Sequence, residues 1–252
     1  MKLSKKTITN ILAPLVTFLL LFGFWEWAVS HYQLPKWLLP APSGIIQSMV
    51  VNFNDFWPHI LITFETVLIG FLIAVPVGIL LATLITSNKI ISAALSPFVI
   101  FLVTTPLVTL IPIMMLFMGF GQKVRIIGVV IQAFSIVNMN TVTGILNVPI
   151  IRHELMQTMG SNKFQSLRHM IYPTAIVDIF TGVRLSAIFS TTACISAEYV
   201  AGNHGLGSQI IKYSQFLKTT ESFACIFYVT IIGLFMYGFV AFLQKKVIYW
   251  KI

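Results

Sequence analysis

Long apolar runs alternate with short polar segments along most of the chain. Each run holds about 20 residues or more, the length that one α-helix needs to cross the hydrocarbon core of a bilayer. The pattern predicts an all-α, polytopic membrane protein with about six transmembrane helices. We expect a membrane domain over 11–245 between polar ends, 1–10 and 246–252. The predicted spans, with approximate bounds, are 11–29, 60–85, 97–118, 124–146, 175–200 and 222–243.

The first apolar run has a second interpretation, a secretory signal peptide. Basic residues precede it, and the small residues Ala28-Val29-Ser30 follow it as a cleavage site would. However, its core is longer than the roughly 7–15 residues of such peptides, and Trp25 and Trp27 crowd the site. With Trp37, these tryptophans are typical of an aromatic belt at a membrane interface. We therefore expect a retained first span, with cleavage as the alternative.

The third span is harder to delimit, because residues 90–122 contain no charge and exceed the length of one helix. Pro97, Pro106 and Pro112 interrupt this run, and proline breaks or kinks a helix. We interpret it as one kinked span over 97–118 with an interfacial lead-in. Two short re-entrant pieces are the alternative.

Basic residues divide unevenly between the polar segments, which sets the orientation of a membrane protein. With the N-terminus inside, ten lysines and arginines fall on the cytoplasmic side and five on the other, while Arg184 lies inside a span. The cytoplasmic set is Lys2, Lys5, Lys6, Lys89, Arg152, Lys163, Arg168, Lys245, Lys246 and Lys251. This bias predicts that both termini and residues 152–172 are cytoplasmic.

Composition supports a lipid environment. Hydrophobic residues make up 57% of the 252 and charged residues only 9%, whereas a soluble domain carries about 25% charged residues. The formal charge of +9 reflects topology and does not indicate nucleic-acid binding, because no basic stripe with interleaved aromatic residues lies outside the apolar runs.

No pattern of residues is typical of a catalytic or metal site. Cys194 and Cys225 lie inside apolar runs, the histidines fall at loops or span ends, and no G-x-x-x-x-G-K-[ST] motif is present. A membrane enzyme would need convergent polar groups at an interface. A secondary transporter or channel usually carries mid-span carboxylates or a repeat. We expect neither class of protein, and no cofactor or metal.

The longest polar stretch inside the chain, residues 152–173, is the most informative. A Gly-Ser-Asn break at Gly160 divides it, so we expect a helix, a turn and a second short helix ending at Pro173, all lying at the membrane surface. Leu155, Met156 and Met159 share one helical face. One interpretation is an amphipathic loop on lipid headgroups; the other is a docking element for a soluble partner.

At this segment the chain resembles the permease subunits of ABC-type importers, the binding-protein-dependent transport family. Their cytoplasmic loop has the pattern E-A-A, three residues, G, nine residues, I, any residue, L-P. Glu154, Gly160 and Pro173 stand at the matching spacings. The other motif positions carry Leu155, Met156, Met170 and Tyr172 in place of Ala, Ala, Ile and Leu.

Further stretches resemble the nitrate, sulfonate and taurine branch of that family, in the right order over about residues 35–245. These are Leu39-Pro40-Ala41-Pro42-Ser43, Thr105-Pro106 through Gly119-Phe120-Gly121, Gly182-Val183-Arg184-Leu185, and Ala197-Glu198-Tyr199 followed by Gly205-Leu206-Gly207.

The resemblance implies a working unit of two permeases, here two copies of this chain, two ABC ATPase subunits and an external substrate-binding protein. ATP would bind to the partner subunits only. The coupling residues would be Glu154, Leu155, Met156, Gly160 and Pro173. The branch transports small anions such as nitrate, bicarbonate, sulfonates and taurine, and vitamin-related molecules such as thiamine precursors or riboflavin.

Two charged residues inside the fifth span are candidates for the transport pathway or its gate, because ionisable groups in a bilayer are costly. Arg184 is expected to face the bundle, where it binds an anion, forms a structural pair or reaches the cytoplasmic interface. Glu198 lies near the outer end, as part of a gate, as a partner of Lys212 or Lys218, or as an interfacial carboxylate.

Overall fold

The structure is a computed structural model that describes residues 5–248 of the chain, with side chains from residue 12 onward. The ends of the predicted polar termini, including Lys2 and Lys251, lie outside these residues. All secondary structure in the described part is helical. The helices are α1 (Lys5–His31), α2 (Pro42–Val51), α3 (Phe53–Ser87), α4 (Lys89–Thr104), α5 (Leu107–Met118), α6 (Gln122–Leu146), α7 (Ile150–Thr158), α8 (Lys163–Ser166), a π-helical turn (Leu167–Ile171), α9 (Tyr172–Ala201), α10 (Leu206–Gln215) and α11 (Thr219–Val247).

Five of these helical segments are long and apolar enough to cross a membrane. They lie in α1, α3, α6, α11 and the continuous helix from Lys163 to Ala201. Helices α4 and α5 meet at an angle of 104°. They add a sixth crossing if the two together count as one broken span. The prediction of an all-α polytopic fold is confirmed.

The break between α4 and α5 follows from local sequence. Thr105 precedes Pro106 and adopts an extended backbone (φ −76°, ψ 121°), which a following proline favours over the helical conformation. The helix before the break begins at Lys89 rather than Pro97, because the Asn88 side chain accepts a hydrogen bond from the Ile90 N–H (2.8 Å) and caps it. The expected interfacial lead-in is therefore helical, and the segment consists of two helices, which fit either one broken span or a re-entrant pair.

The described chain forms two compact units. In the first, residues up to 58 pack with 209–227, and aromatic rings supply much of the contact. Phe56 is fully buried and meets the ring of Tyr213 edge-on at 6.1 Å. Burial raises the pKa of the Tyr213 phenol above its ordinary value. Glu26 accepts hydrogen bonds from the Ser43 N–H (2.9 Å) and hydroxyl (2.6 Å) at the positive end of α2.

The second unit holds residues 59–208 and those from 228 onward, and its centre is the packing of α6 against α9 and α3. Small residues let these backbones approach closely, as is common between helices in membranes. A Cβ built on Gly78 of α3 would lie 2.8 Å from the Phe134 carbonyl oxygen of α6. A Cβ on Gly182 of α9 would lie 2.6 Å from the Asn140 Cβ of α6. The glycines therefore fix how near these helices stand.

Replacing Gly78 with valine should separate α3 from α6, because the contact atom on α6 is backbone and cannot move aside. We expect the midpoint of thermal unfolding in detergent to fall by about 2–10 °C, the range for overpacking a core. Gly23→Val on α1 is the matched control, since nothing lies within 4 Å of a Cβ there. Equal midpoints for the two variants would contradict this packing.

Candidate functional site

The first candidate site is the helical hairpin formed by α7, the turn at Gly160 and α8. Gly160 has φ +70°, a conformation that favours glycine, and its N–H bonds to the Gln157 carbonyl (2.9 Å). The next N–H, of Ser161, bonds back to the Met156 carbonyl (3.1 Å), which completes a Schellman end to α7. Asn162 and Gln165 then form a capping box that starts α8. The hairpin is thus closed by its own backbone and caps.

The predicted coupling residues lie on the surface of this hairpin. Glu154, Leu155 and Gly160 are exposed, and Met156 is half-buried. Within the described residues the Glu154 carboxylate makes no hydrogen bond or ion pair. A free carboxylate beside an exposed leucine gives this face both polar and apolar contacts to offer a partner protein.

The hairpin does not end at Pro173, which is a correction to the sequence interpretation. The chain continues from α8 through the π-helical turn into α9, so residues 163–201 form one helix. Pro173 lies inside this continuous helix, where it has no N–H to donate to the preceding turn. The wide turn ahead of it, closed by a bond from the Tyr172 N–H to the Leu167 carbonyl, accommodates the change.

A groove of about 910 Å³ separates the hairpin from the ends of α3 and α6. Its walls include Thr86, Leu146, Gln157 and Phe164. Two contacts anchor the hairpin beside it. The Arg152 guanidinium donates to the Thr174 hydroxyl (2.6 Å), and the hydroxyls of Tyr172 and Thr83 lie 2.7 Å apart. The hairpin is therefore held at its base, with free volume behind it.

The second candidate site surrounds Glu198 at the opposite end of α9. The side chain is fully buried, and its oxygens accept hydrogen bonds from the Thr63 hydroxyl (2.8 Å) and the Gly207 N–H (2.7 Å). Arg125 of α6, itself buried, lies 3.9 Å away and forms an ion pair with it. Burial of a carboxylate is tolerated because these donors replace water.

The loop that follows α9 wraps around this carboxylate. Arg125 donates to the His204 carbonyl (2.8 Å), and the Leu206 N–H donates to the Thr63 hydroxyl (2.9 Å). Gly205 has φ +102°, and a Cβ there would lie 2.2 Å from a Glu198 oxygen, so no larger residue fits. The Glu198 cluster, meaning Glu198, Arg125, Thr63 and residues 204–207, joins α3, α6, α9 and the start of α10.

Of the alternatives that the sequence left open for Glu198, an ion pair is present, but its partner is Arg125 and the carboxylate is fully buried. A role of Glu198 in a gate stays a prediction. Sequence reasoning missed Thr63 and Arg125. Arg125 is one of the five basic residues that the orientation prediction assigns to the outer side. Nothing in the sequence marks Thr63, because contacts between distant spans leave no periodic signal.

The other predicted pathway residue, Arg184, contacts α11. Its guanidinium lies 4.7 Å from the centre of the Tyr237 ring and donates to the Tyr237 hydroxyl and to the Gln244 side chain (3.1 Å). No carboxylate of the described residues lies within ion-pair distance. Of the alternatives that the sequence left open, the structural contact is present.

Comparison with known proteins identifies the family. The family described as the binding-protein-dependent transport system inner membrane component matches residues 74–249. The chain belongs to this family. The resemblance that the sequence motifs suggested is therefore confirmed, and the protein is a multi-pass inner-membrane component of a binding-protein-dependent transport system.

Curated relatives of this permease match along nearly its whole length. A formylaminopyrimidine transport permease of Halalkalibacterium halodurans is 25% identical and covers 95% of this chain and 96% of its own. A riboflavin transport permease of Chloroflexus aurantiacus is 27% identical, with coverage of 94% and 89%. The taurine transport permease of Escherichia coli is 25% identical, with coverage of 93% and 88%.

Solved structures show the same fold. A chain of an amino acid ABC transporter, crystallised with histidines, has a TM-score of 0.64 and 19% identity, covering 79% of this permease and 97% of that chain. A chain of the MetNI methionine ABC transporter in an inward-facing conformation has a TM-score of 0.59 and 20% identity, with coverage of 79% and 95%.

Removing the Glu198 carboxylate should destabilise the permease strongly, because Arg125 would keep its buried charge without a partner. We expect Glu198→Ala to lower the free energy of unfolding by about 3–5 kcal/mol, the usual cost of breaking a buried pair. Glu65→Ala, which removes an exposed carboxylate from α3, should change it little. Denaturant unfolding in micelles measures both, and similar losses in the two variants would refute the role of the pair.

Proposed function

We propose that this chain is the pore-forming subunit of an ATP-binding-cassette importer, in which it moves a small solute by alternating access while partner subunits hydrolyse ATP. One observation carries the proposal. The exposed hairpin of α7 and α8 is joined without a break to α9, which contributes Glu198 to the cluster at its far end. A force on the hairpin would therefore reach the opposite side of the bundle.

The mechanism follows from that continuity. Closure of two ATPase subunits on ATP displaces the hairpin through contacts with Glu154, Leu155 and Met156. The groove behind the hairpin leaves room for this movement. The helix from Lys163 to Ala201 transmits it to the loop around Glu198. The spans then rock between two packings, one open to each side of the membrane.

The chain itself takes no cofactor and catalyses no reaction in this proposal. Its sequence has no G-x-x-x-x-G-K-[ST] motif to cradle nucleotide phosphates, so energy must arrive through protein contact. ABC ATPase subunits are the expected source, in keeping with the transport systems named for the relatives and the fold neighbours.

Orientation and assembly complete the proposal. We propose that both termini and the hairpin are cytoplasmic, which the bias of basic residues supports. A second copy of this chain completes the pore, and an external substrate-binding protein delivers the solute. The family name, which refers to binding-protein-dependent transport, supports the last of these partners.

The substrate class is a small anion or a vitamin-related molecule. Relatives at about the same identity are named for formylaminopyrimidine, riboflavin, taurine and nitrate, so their names divide between these two chemistries. We propose that the binding protein makes the selection. Screening ligands against that protein is the measurement that distinguishes the classes.

The turn at Gly160 offers a direct test of coupling. Gly160→Trp should distort the hairpin, because its backbone lies in the left-handed region, and reduce ATP-driven uptake by about tenfold or more. Gly160→Asn is the matched control, because asparagine accepts this backbone conformation and should preserve uptake. Uptake in vesicles and co-purification of the ATPase are the two measurements.

Two results would contradict the proposal. One is a Gly160→Trp variant that retains both ATPase association and uptake. The other is uptake by the wild type that continues after ATP is depleted while ion gradients are kept, as a secondary transporter would show.

A further inference from the structure

A groove of about 360 Å³ lies between α9 and α11, away from the hairpin and the Glu198 cluster. Facing stripes of the two helices form its walls. Ile188 and Thr191 are among the residues that line it from α9, and Gly233, Leu234 and Tyr237 are among those from α11. Most atoms that face the groove are apolar. Its volume is within the range of sites that hold small ligands, about 300–1,000 Å³.

Gly233 creates the space. A Cβ built there would lie 3.5 Å from the Thr191 hydroxyl oxygen and 3.8 Å from the other Thr191 side-chain atoms, which is ordinary contact. A longer side chain would therefore extend into the groove and fill it. Exposed Ile188 and Leu234 stand at its mouth, so the groove opens to the surroundings of the bundle.

One end of the groove carries uncompensated positive charge. Tyr237, which lines the groove, is also the residue on which the Arg184 guanidinium stacks, and Arg184 bonds onward to Gln244. Gln244 lies near the end of α11 and is followed by Lys245 and Lys246 in the last turn, so all three cations lie toward the same end of this helix pair. Both lysines are exposed, and no carboxylate forms an ion pair with any of the three cations in the described chain.

We propose that this groove binds an anionic phospholipid, with the phosphate on Arg184 and the two lysines and part of an acyl chain between α9 and α11. An arginine fork matches phosphate oxygens, and basic pockets between transmembrane helices select anionic headgroups. The lipid comes from the leaflet at the lysine end of α11, which is the inner one in the orientation proposed above.

The groove favours a lipid over a transported anion because its walls are mostly carbon and its mouth is apolar. A lipid also satisfies both features at once, since its charge stands at the membrane surface and its chain extends into the hydrocarbon. The charge of Arg184, costly in a bilayer when only neutral groups surround it, would then be matched by the phosphate. Lipid binding goes beyond the proposed transport function and does not depend on any substrate.

The test uses the full-length permease, purified and delipidated in detergent. Native mass spectrometry measures the binding of phosphatidylglycerol, which is anionic, and of phosphatidylcholine, which is neutral. We expect the wild type to bind phosphatidylglycerol at least about fivefold more tightly, since each nearby cation contributes about that factor. Gly233→Leu should weaken the binding of both lipids. Gly238→Leu, on the same helix but with open space around it, should bind as the wild type does.

A variant that changes only charge gives a second test, because it leaves the packing between α9 and α11 unchanged. The double substitution Lys245→Gln with Lys246→Gln should remove most of the preference for phosphatidylglycerol and leave phosphatidylcholine binding unchanged. Thermal unfolding of each variant checks that it is folded. Because uptake is not measured, failure of this test leaves the transport proposal standing.

Several results would overturn the lipid site. Equal affinity of the wild type for the two lipids would do so, as would equal binding by Gly233→Leu and Gly238→Leu. Conversion of a dimer to a monomer by Gly233→Leu, with lipid binding intact, would assign the groove to an interface between copies. Loss of the lipid preference in nitrate or taurine, but not in chloride at equal ionic strength, would assign Arg184 to the transported anion.

Discussion

Burial of one carboxylate constrains the second unit of this permease. Glu198 has no exposure and stands in a protein whose main solvent is lipid, so its charge must be compensated inside the bundle. Arg125, the Thr63 hydroxyl and the Gly207 N–H meet that requirement from three different parts of the chain. Because all three must reach the same two oxygens, the carboxylate fixes the register of α9 against α3 and α6.

The glycines at the helix contacts also help to bring α3, α6 and α9 together around Glu198. Gly78 and Gly182 allow α3 and α9 to lie close against α6, which brings their polar side chains within bonding distance. The result is a tightly packed centre with two different ends. At one end the loop around Glu198 is bonded to side chains of α3, α6 and α9, and at the other the hairpin of α7 and α8 stands over a groove. A continuous helix, residues 163–201, connects them.

The sequence predicted much of this because most of it is local. Apolar runs predicted the helices, and the Gly160 break with its neighbours predicted a turn where the chain forms a Schellman end and a capping box. Pro173 misled the interpretation, because the wide π-helical turn ahead of it lets the helix continue through the proline. The Glu198 cluster was not foreseen, since its members are distant in sequence and are brought together only by the packing of the bundle.

The central claim is that the hairpin faces the cytoplasm, where an ATPase can drive it. Labelling with a membrane-impermeant maleimide tests this directly, because the native Cys194 and Cys225 are buried and should stay unlabelled. Gln157→Cys reports on the hairpin, and Asn203→Cys reports on the opposite end of α9; both positions are exposed. We predict labelling at 203 in intact cells and at 157 only in inverted vesicles. Labelling of residue 157 in intact cells would contradict the account.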